Sequence, residues 1–212
     1  VIVKSYASYN RDLYLVDLND DTTTLLTKHE GNAKYSMPHW LTDSSGFFVR
    51  TNENQDMVGV AFHDLKTNER TYRLNLKWEC DELSLSEDGT QLAVVINEDG
   101  YGTVELYNVS NFQILPHCEF PKGIMHGVQW SHDGKRLMFE YNNAKHNNDI
   151  YSWSQENNEI TRITHSLCAL NPEDLIEPEL IHFPSFDGLE IPAFLYLPPI
   201  NGDQKIPVIV NV

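Results

Sequence analysis

The chain contains an internal repeat of about 45 residues, and this repeat constrains its fold more than any other feature of the sequence. Three turn pairs, each followed by a short apolar segment, recur at spacings of 43 and 45 residues: Ser45-Gly46, Asp88-Gly89 and Asp133-Gly134. A second marker recurs at spacings of 47, 44 and 45 residues, in apolar stretches that begin at Leu15, Phe62, Leu106 and Tyr151. Two independent markers with one period indicate copies of a single structural unit.

Each copy of the unit is predicted to contain four β-strands joined by tight turns. In the third copy these strands are residues 81–85, 91–97, 103–109 and 113–118. The pairs Asp88-Gly89 and Asp99-Gly100 separate the first three strands, and Asp-Gly between apolar segments is a strong hairpin signal because a type I′ turn needs positive φ at both central residues. The second strand is apolar at consecutive positions from Leu92 to Ile96, so it is expected to be covered on both faces.

Four-stranded units of this length, buried on both faces, are typical of the radially stacked blades of a β-propeller. The sequence therefore predicts an all-β fold with about four antiparallel blades in residues 1–165. Three whole blades are expected at 34–77, 78–121 and 122–165, and residues 1–30 supply the later strands of another blade whose first strand is absent. A β-sandwich of unrelated hairpins is the alternative.

The charge and the cysteine content exclude several classes of partner and site. The chain has 212 residues and a formal net charge of −16, which argues against nucleic acids and anionic membranes because both would be repelled. No apolar run approaches the roughly 18 residues of a membrane helix and no signal peptide is visible, so a cytoplasmic location is expected, although the chain begins at Val1 without a methionine. Cys80, Cys118 and Cys168 lack paired spacing, which indicates buried free thiols.

Parts of the repeat resemble a known blade signature. Residues 130–139 (WSHDGKRLMF) are similar to the W-S-P-D-G-K-x-I-A-F signature of TolB-like propellers, with His132 in place of the usual proline. Residues 85–93 are a second copy of this signature and residues 40–47 are a degenerate third. WD40 propellers match less well, because no Gly-His opens a blade and no Trp-Asp closes one.

A different module begins near the C-terminus. Residues 166–179 contain two prolines and lack the repeat, which predicts a linker with a short helical turn after Asn171. Residues 180–198 predict two strands around an Asp-Gly turn. After an Asn201-Gly202 loop, residues 205–212 form an apolar, β-branched run that predicts a buried strand of an α/β sheet.

This module resembles the start of the α/β-hydrolase domain in the prolyl oligopeptidase family (S9) of serine peptidases. The matching residues are Ser185, Asp187, Gly188, Ile191, Pro192, Ala193, Leu195, Tyr196, Pro198, Lys205, Pro207, Ile209 and Val210. In that family an H-G-G-P segment follows, at the point where this chain ends at Val212. The resemblance implies that residues 180–212 are the N-terminal strands of a truncated hydrolase domain and that the chain is a fragment of a longer peptidase.

The resemblance implies catalysis by a serine on a G-x-S-x-G turn together with an aspartate and a histidine. No G-x-S-x-G occurs in this sequence, so no catalytic residue is assigned and the substrate-binding residues stay unknown. Ser185 occupies the S-x-D-G position, where a role in the turn is favoured over that of a nucleophile.

Other polar residues offer weaker candidates for metal binding or modification. His126, His132 and His146 lack the spacing of paired ligands, so no metal and no cofactor is predicted. Residues 17–21, from Asp17 to Asp21, faintly resemble a calcium loop but lack Gly at the sixth position and a distal Glu, which favours a strand connection. The sequon at Asn108 is expected to be silent because it lies in or beside a strand.

Two functions from different classes remain open. The favoured one is a substrate-gating propeller fragment, inactive alone, of a serine peptidase that hydrolyses peptide or acyl-peptide bonds of short peptides. Its partners would be those peptides and the remaining propeller and hydrolase domain. The alternative is a TolB-like propeller that serves as a non-catalytic protein-binding scaffold. The uncovered run at 206–212 and the blade ends at 1–7 and 157–165 predict that the fragment self-associates.

Overall fold

The structure, a computed structural model, describes residues 1–199 and 205–211. Its strands form four antiparallel sheets and a C-terminal hairpin, and within each sheet neighbouring strands follow chain order.

Blade one contains β1 (Ile2–Ala7), β2 (Asn10–Val16) and β3 (Thr23–Leu25). Blade two contains β4 (Tyr35–Trp40), β5 (Gly46–Thr51), β6 (Gly59–Asp64) and β7 (Glu69–Leu74). Blade three contains β8 (Glu79–Leu85), β9 (Gln91–Glu98) and β10 (Tyr101–Asn108). Blade four contains β11 (Ile124–Trp130), β12 (Arg136–Asn142), β13 (Asp149–Ser154) and β14 (Glu159–Arg162). The hairpin contains β15 (Glu179–Pro184) and β16 (Glu190–Leu195).

The loop between the first and second strands has one geometry in blades two, three and four. In each loop an aspartate accepts a hydrogen bond from the backbone N–H two residues later, at 2.9, 3.0 and 3.1 Å: Asp43, Asp88 and Asp133. The residue after each aspartate has a φ of 58°, 73° or 67°: Ser44, Gly89 and Gly134. Equivalent positions are therefore 45 residues apart in all three blades. The predicted equivalence of Ser45-Gly46 with Asp88-Gly89 is wrong by two residues. That alignment matched the glycines of the two loops, whereas the aspartates that organise the loops are the equivalent residues.

The two Asp-Gly turns of blade three differ from each other. Asp99 and Gly100 have φ values of 51° and 88°, so the two-residue turn between β9 and β10 has the predicted type I′ geometry. At Asp88-Gly89 only the glycine has positive φ, and the type I′ prediction is wrong there. This loop has more than two residues, and it is closed by the Ser86 N–H, which donates to the carbonyl oxygen of Gln91 at 2.8 Å.

The hydrophobic core lies between the sheets. Three clusters of buried side chains fill the spaces between neighbouring blades: one lies between blades one and two, one between blades two and three, and one between blades three and four. In β9, alternate side chains from Leu92 to Ile96 enter the cluster shared with blade two, while Ala93 and Val95 enter the cluster shared with blade four. The prediction that this strand is covered on both faces is confirmed.

The first strands of blades two, three and four each contain a β-bulge, and the bulges of blades two and four lie at equivalent positions of the repeat. Their registers shift between Ser36 and His39, between Cys80 and Glu82, and between His126 and Gln129. A bulge leaves one backbone group out of the ladder. In β11 that group is the Val128 N–H, which donates to Oε2 of Glu82 in blade three at 3.0 Å. The bulge therefore serves as a point of attachment between neighbouring blades.

Two predicted strands are not formed. Residues 113–118 make only an isolated bridge, between Ile114 and Tyr107, because Pro116 has no N–H to donate to a ladder. Residues 205–211 are not a strand, and the three apolar side chains at 208–210 are 78% exposed or more. Within the described ranges this run pairs with no other strand, so its backbone lacks the partners that a sheet would supply. The Asn201-Gly202 loop and Val212 lie outside the described residues.

The three cysteines are free but differ in burial. Cys80 is buried in the core between blades two and three, Cys118 is partly buried, and Cys168 is exposed. The prediction of buried thiols therefore holds for Cys80 and is wrong for the other two. Cys168 is exposed because it lies in the irregular segment after blade four, where no sheet covers it.

The segment between blade four and the hairpin contains one short helical element. A 3₁₀ turn spans Pro172–Asp174, and the side chain of Asn171 caps it by accepting a hydrogen bond from the Glu173 N–H at 3.2 Å. This agrees with the predicted helical turn. Across residues 1–199 and 205–211, no helix has the length and apolar content needed to cross a membrane.

Candidate functional site: the cleft between blade three and the C-terminal hairpin

The hairpin β15–β16 rests on the tight turn between β9 and β10. Nε2 of His182 lies 3.0 Å from Oδ2 of Asp99. The ring of Phe194 meets the ring of Tyr101 edge-on, with 5.0 Å between the centroids and 68° between the planes. These contacts join residues more than 80 positions apart and create a cleft between the hairpin and blades three and four.

The first of two cavities in this cleft has a volume of about 290 Å³. Aromatic side chains from both sides line it: Tyr101, Phe194 and Tyr196. Lys122 and Glu177 supply opposite charges to its wall. Burial, followed by the nearby Glu177 carboxylate, raises the pKa of Tyr101, so this phenol stays protonated and keeps its hydrogen-bond donor at neutral pH.

The second cavity, of about 400 Å³, lies on the other side of Tyr101. Its wall carries the carboxylates of Glu98, Asp99 and Glu119, together with the apolar side chains of Phe120 and Leu180. Both cavities are close to the lower end of the range for small-molecule sites in proteins. The cleft can therefore accommodate a small ligand or one or two side chains of a peptide. In the second cavity three carboxylates outnumber the single lysine, Lys122, which favours cationic groups there.

A buried carboxylate holds the chain where it leaves blade four. Asp149 accepts hydrogen bonds from the hydroxyl of Thr164 at 2.7 Å and from the N–H of Ser166 at 2.8 Å, and it forms an ion pair with Arg162. The hydrogen bond from Thr164 is the largest of the contributions that hold the pKa of Asp149 well below its usual range. This cluster fixes the start of the segment that leads to the hairpin. Sequence reasoning did not find this cluster, because Asp149 begins β13 like any strand-initial aspartate and its partners lie 13 to 17 residues away.

Ser185 lies in the turn of the hairpin. Its N–H donates to the carbonyl oxygen of Leu189 at 2.8 Å, and the Gly188 N–H donates to the Ser185 carbonyl oxygen at 3.0 Å. Gly188 has a φ of 84°, as this turn requires. Among the described residues, no serine, threonine or cysteine side chain forms a hydrogen bond with a histidine ring.

The three histidines considered as metal ligands lie in different surroundings. His126 is on β11, with Nδ1 3.6 Å from Oε1 of Glu82. His132 is exposed in a loop of blade four and contacts Glu87. His146 lies in the loop between β12 and β13, with Nδ1 3.0 Å from Oδ1 of Asn143. The described residues contain no group of three potential metal-ligating side chains.

The remaining two candidates form local turns. In the stretch from Asp17 to Asp21, the first aspartate accepts the Asn19 N–H at 2.9 Å and Asp20 accepts the Thr22 N–H at 3.0 Å. These hydrogen bonds occupy carboxylate oxygens in the connection from β2 to β3. Asn108 is the last residue of β10, and its side chain accepts the Ser110 N–H at 2.9 Å.

A buried polar group between blades one and two was not expected from the sequence. Arg70 forms two hydrogen bonds with the Glu53 carboxylate, at 2.7 and 2.8 Å. The nearby ring of His63 is completely buried, stacks on Phe47 with 4.9 Å between the centroids, and has no hydrogen-bond partner among the described residues for either nitrogen. Burial lowers the pKa of His63, and the Arg70 charge adds to this effect.

Solved structures share this architecture. Puromycin hydrolase superposes with a TM-score of 0.73 at 16% identity, covering 93% of this chain and 31% of its own. For prolyl oligopeptidase B from Galerina marginata the TM-score is 0.72 at 15% identity, with 88% and 27% covered. For TolB from Acinetobacter baumannii it is 0.62 at 15% identity, with 90% and 50% covered. The fold is a β-propeller. The sheets described above are its blades.

These similarities extend over only part of the known proteins. The chain spans about half of TolB and less than a third of the two peptidases. At identities of 15–16% they show a shared fold. No family model matches the sequence, and no curated protein matches it.

Proposed function

We propose that this chain is the substrate-gating part of a longer serine peptidase of the prolyl oligopeptidase family, which hydrolyses peptide or acyl-peptide bonds of short peptides. In this proposal residues 1–165 are propeller blades, 166–179 a linker and 180–212 the start of the α/β-hydrolase domain. The catalytic serine, aspartate and histidine would lie in the longer protein, so residues 1–212 alone would be inactive.

One observation carries the proposal: a propeller and a hairpin with the S-x-D-G and I-P-A-x-L-Y-x-P residues occur in one chain, and the hairpin packs on the blades. A propeller that acts only as a scaffold has no need of this hairpin. In addition, two of the similar structures are hydrolases, and one of them, prolyl oligopeptidase B, was solved with a 35mer hydrolysis and macrocyclization substrate bound.

The radial arrangement of the blades supports the proposed gating. The first strands β4, β8 and β11 lie side by side. In a closed ring such strands surround a central channel that passes an extended peptide and excludes a folded protein. The cleft at the hairpin would then lie on the side of the propeller that faces the catalytic domain.

The decisive experiment reads the coding frame beyond Val212 and assays the longer protein. We expect H-G-G-P within a few residues and G-x-S-x-G about a hundred residues later, by the resemblance. The longer protein should cleave chromogenic short peptides but spare the same sequences inside a folded protein, and residues 1–212 should be inactive. Ser185→Ala should leave the activity unchanged. A continuation with neither motif, or labelling of Ser185 by a serine-directed inhibitor, would refute the proposal.

A non-catalytic scaffold is the second candidate, and the similarity to TolB favours it. That similarity covers half of TolB, a larger share than for the two peptidases. A frame that continues with further blades and without the two motifs would support the scaffold function.

We also propose that residues 1–212 self-associate in the cytoplasm, and that nucleic acids and membranes are not partners. The exposed side chains of Val208, Ile209 and Val210, together with the exposed edge strand β1, favour pairing between copies. Light scattering should show a dimer or larger species, with more monomer after deletion of residues 180–212. An unchanged distribution after this deletion would contradict the proposed role of the C-terminal run.

A further inference from the structure

The turn between β9 and β10 has no room for a side chain at its second residue unless Phe194 moves. An ideal Cβ placed on Gly100 would lie 2.9 Å from Cε2 and 3.1 Å from Cζ of Phe194. Real Cβ atoms do not approach other carbon atoms this closely without displacement of one group. We call the turn Asp99–Tyr101 the Gly100 notch, because the ring of Phe194 occupies the space that a side chain at Gly100 would fill.

The hairpin presents a matching set of side chains on one face. Leu180 is paired directly with Phe194 across the two strands, and His182 follows two residues later on β15. Residues with this spacing share a face of a sheet. The face therefore places Phe194 against Gly100 and Tyr101 while His182 reaches Asp99.

The notch stands between the two cavities of the cleft. Phe194 lines the smaller cavity, Asp99 and Leu180 line the larger one, and Tyr101 and Lys122 line both. Removing the hairpin from the notch would take away one wall of each cavity and join the two spaces.

The contact is weak by the standards of a folded interior. It consists of one aromatic pair and one histidine–carboxylate pair, whose side chains are 42% and 17% exposed. Aromatic pairs and solvent-exposed ion pairs each contribute modestly to stability. A two-stranded hairpin is itself only marginally stable in water when it packs on nothing.

We propose that the Gly100 notch is a latch that holds the hairpin on blade three, and that release of this latch removes a wall from both half-open cavities and merges them. In the docked hairpin these contacts protect the backbone amides from hydrogen exchange. In the released hairpin both the contacts and the hydrogen bonds between β15 and β16 are lost. The inference goes beyond the proposed function, because it concerns residues 98–196 alone and holds whether or not the protein is a peptidase.

Hydrogen exchange of the whole 212-residue chain tests the latch. Gly100→Ala should make the backbone amides of β15 and β16 exchange about tenfold faster, since the lost aromatic and ionic contacts correspond to a factor of that order. Gly134→Ala is the matched control: Gly134 has a φ of 67° in a turn of blade four, and its Cβ would meet nothing within 4 Å. This variant carries the same backbone strain without touching the hairpin, so exchange in β15–β16 should not change.

Phe194→Ala keeps the result interpretable if Gly100→Ala disturbs its own turn. This variant leaves blade three intact, and it should also accelerate exchange in β15–β16 while β9 and β10 keep their protection. Unchanged exchange of the hairpin in Phe194→Ala would overturn the latch, whatever Gly100→Ala shows. So would equal acceleration of the hairpin by Gly134→Ala, because the effect would then come from strain at a turn.

Discussion

The buried, unpaired ring of His63 should make this protein lose stability under mildly acidic conditions. Its two nitrogens have no hydrogen-bond partner, and burial against Phe47 lowers its pKa. An unfolded chain has no such restraint, so its histidine takes up a proton near pH 6.5. Below that pH the unfolded state binds a proton that the folded state does not, and the free energy of unfolding falls.

The size of the effect follows from proton linkage. A histidine that stays neutral in the folded state reduces the free energy of unfolding by about 1.4 kcal/mol per pH unit below its unfolded pKa. Between about pH 7 and about pH 5.5 the integrated loss from His63 is at most about 1.3 kcal/mol, the limit for a ring that stays neutral in the folded state over this range. Burial also lowers the pKa of His39, which adds a second decline of the same sign. The lowered pKa of Asp149 has its effect at lower pH, as the carboxylate becomes protonated.

Urea unfolding followed by tryptophan fluorescence at both pH values measures this loss. We expect His63→Leu to reduce the difference in unfolding free energy between the two pH values by up to about 1.3 kcal/mol relative to the unsubstituted chain. His165→Leu is the control, because His165 is exposed. The comparison is between pH values within each variant, so a change in overall stability caused by leucine does not affect it. An identical pH dependence in His63→Leu and the unsubstituted chain would refute the reasoning.

Three further predictions concern other buried groups. Gly46→Ala should destabilise the chain by about 2 kcal/mol or more in urea unfolding, because a Cβ there would lie 2.2 Å from the carbonyl oxygen of His63. Gly31→Ala is strained only by its φ of 74°, with nothing within 4 Å, so it should cost less, and an equal loss in the two variants would contradict the clash. Thiol labelling should be fast at Cys168, slower at Cys118 and absent at Cys80 until unfolding, since burial raises the pKa of Cys80 to about 12; one common rate for all three would disagree with the structure. Asp149→Asn should make the loss of stability below about pH 4 smaller. A carboxylate whose pKa is lowered by folding stabilises the folded state at pH values above its unfolded pKa, and this contribution is lost as the pH falls through its folded pKa. An unchanged acid transition would count against this role of Asp149.

Local patterns predicted the blades well, because each blade is built from short-range pairings. The 45-residue period, the two-faced apolar strand β9 and the turn at Asp99-Gly100 all depend on residues close in sequence. The same patterns misplaced the loop of blade two, where Ser44 adopts the positive φ that glycine has in the other blades. They also overestimated two strands. Pro116 interrupts one ladder, and the run at 205–211 has no neighbouring strand within the described ranges.

The candidate site was largely inaccessible to sequence reasoning. Asp99 and His182 are separated by 83 residues, and no spacing rule connects them. Each belongs to a recognised turn or strand, so its own motif explained its presence without reference to the other. Buried groups such as His63 were missed for a related reason, because a histidine in a strand gives no sign of what covers it.

The placement of the core between sheets has a consequence for how stability grows with blade number. Four blades share three cores, so each added blade contributes one further core, and stability increases by nearest-neighbour coupling. The outward side of each end blade lacks this coupling: β1 is almost entirely exposed, and Arg136 and Glu140 of β12 are exposed. The end blades should therefore open first when the chain unfolds. Joining the two ends into a ring would add one more core without any additional blade, and it would remove both weak points in a single step.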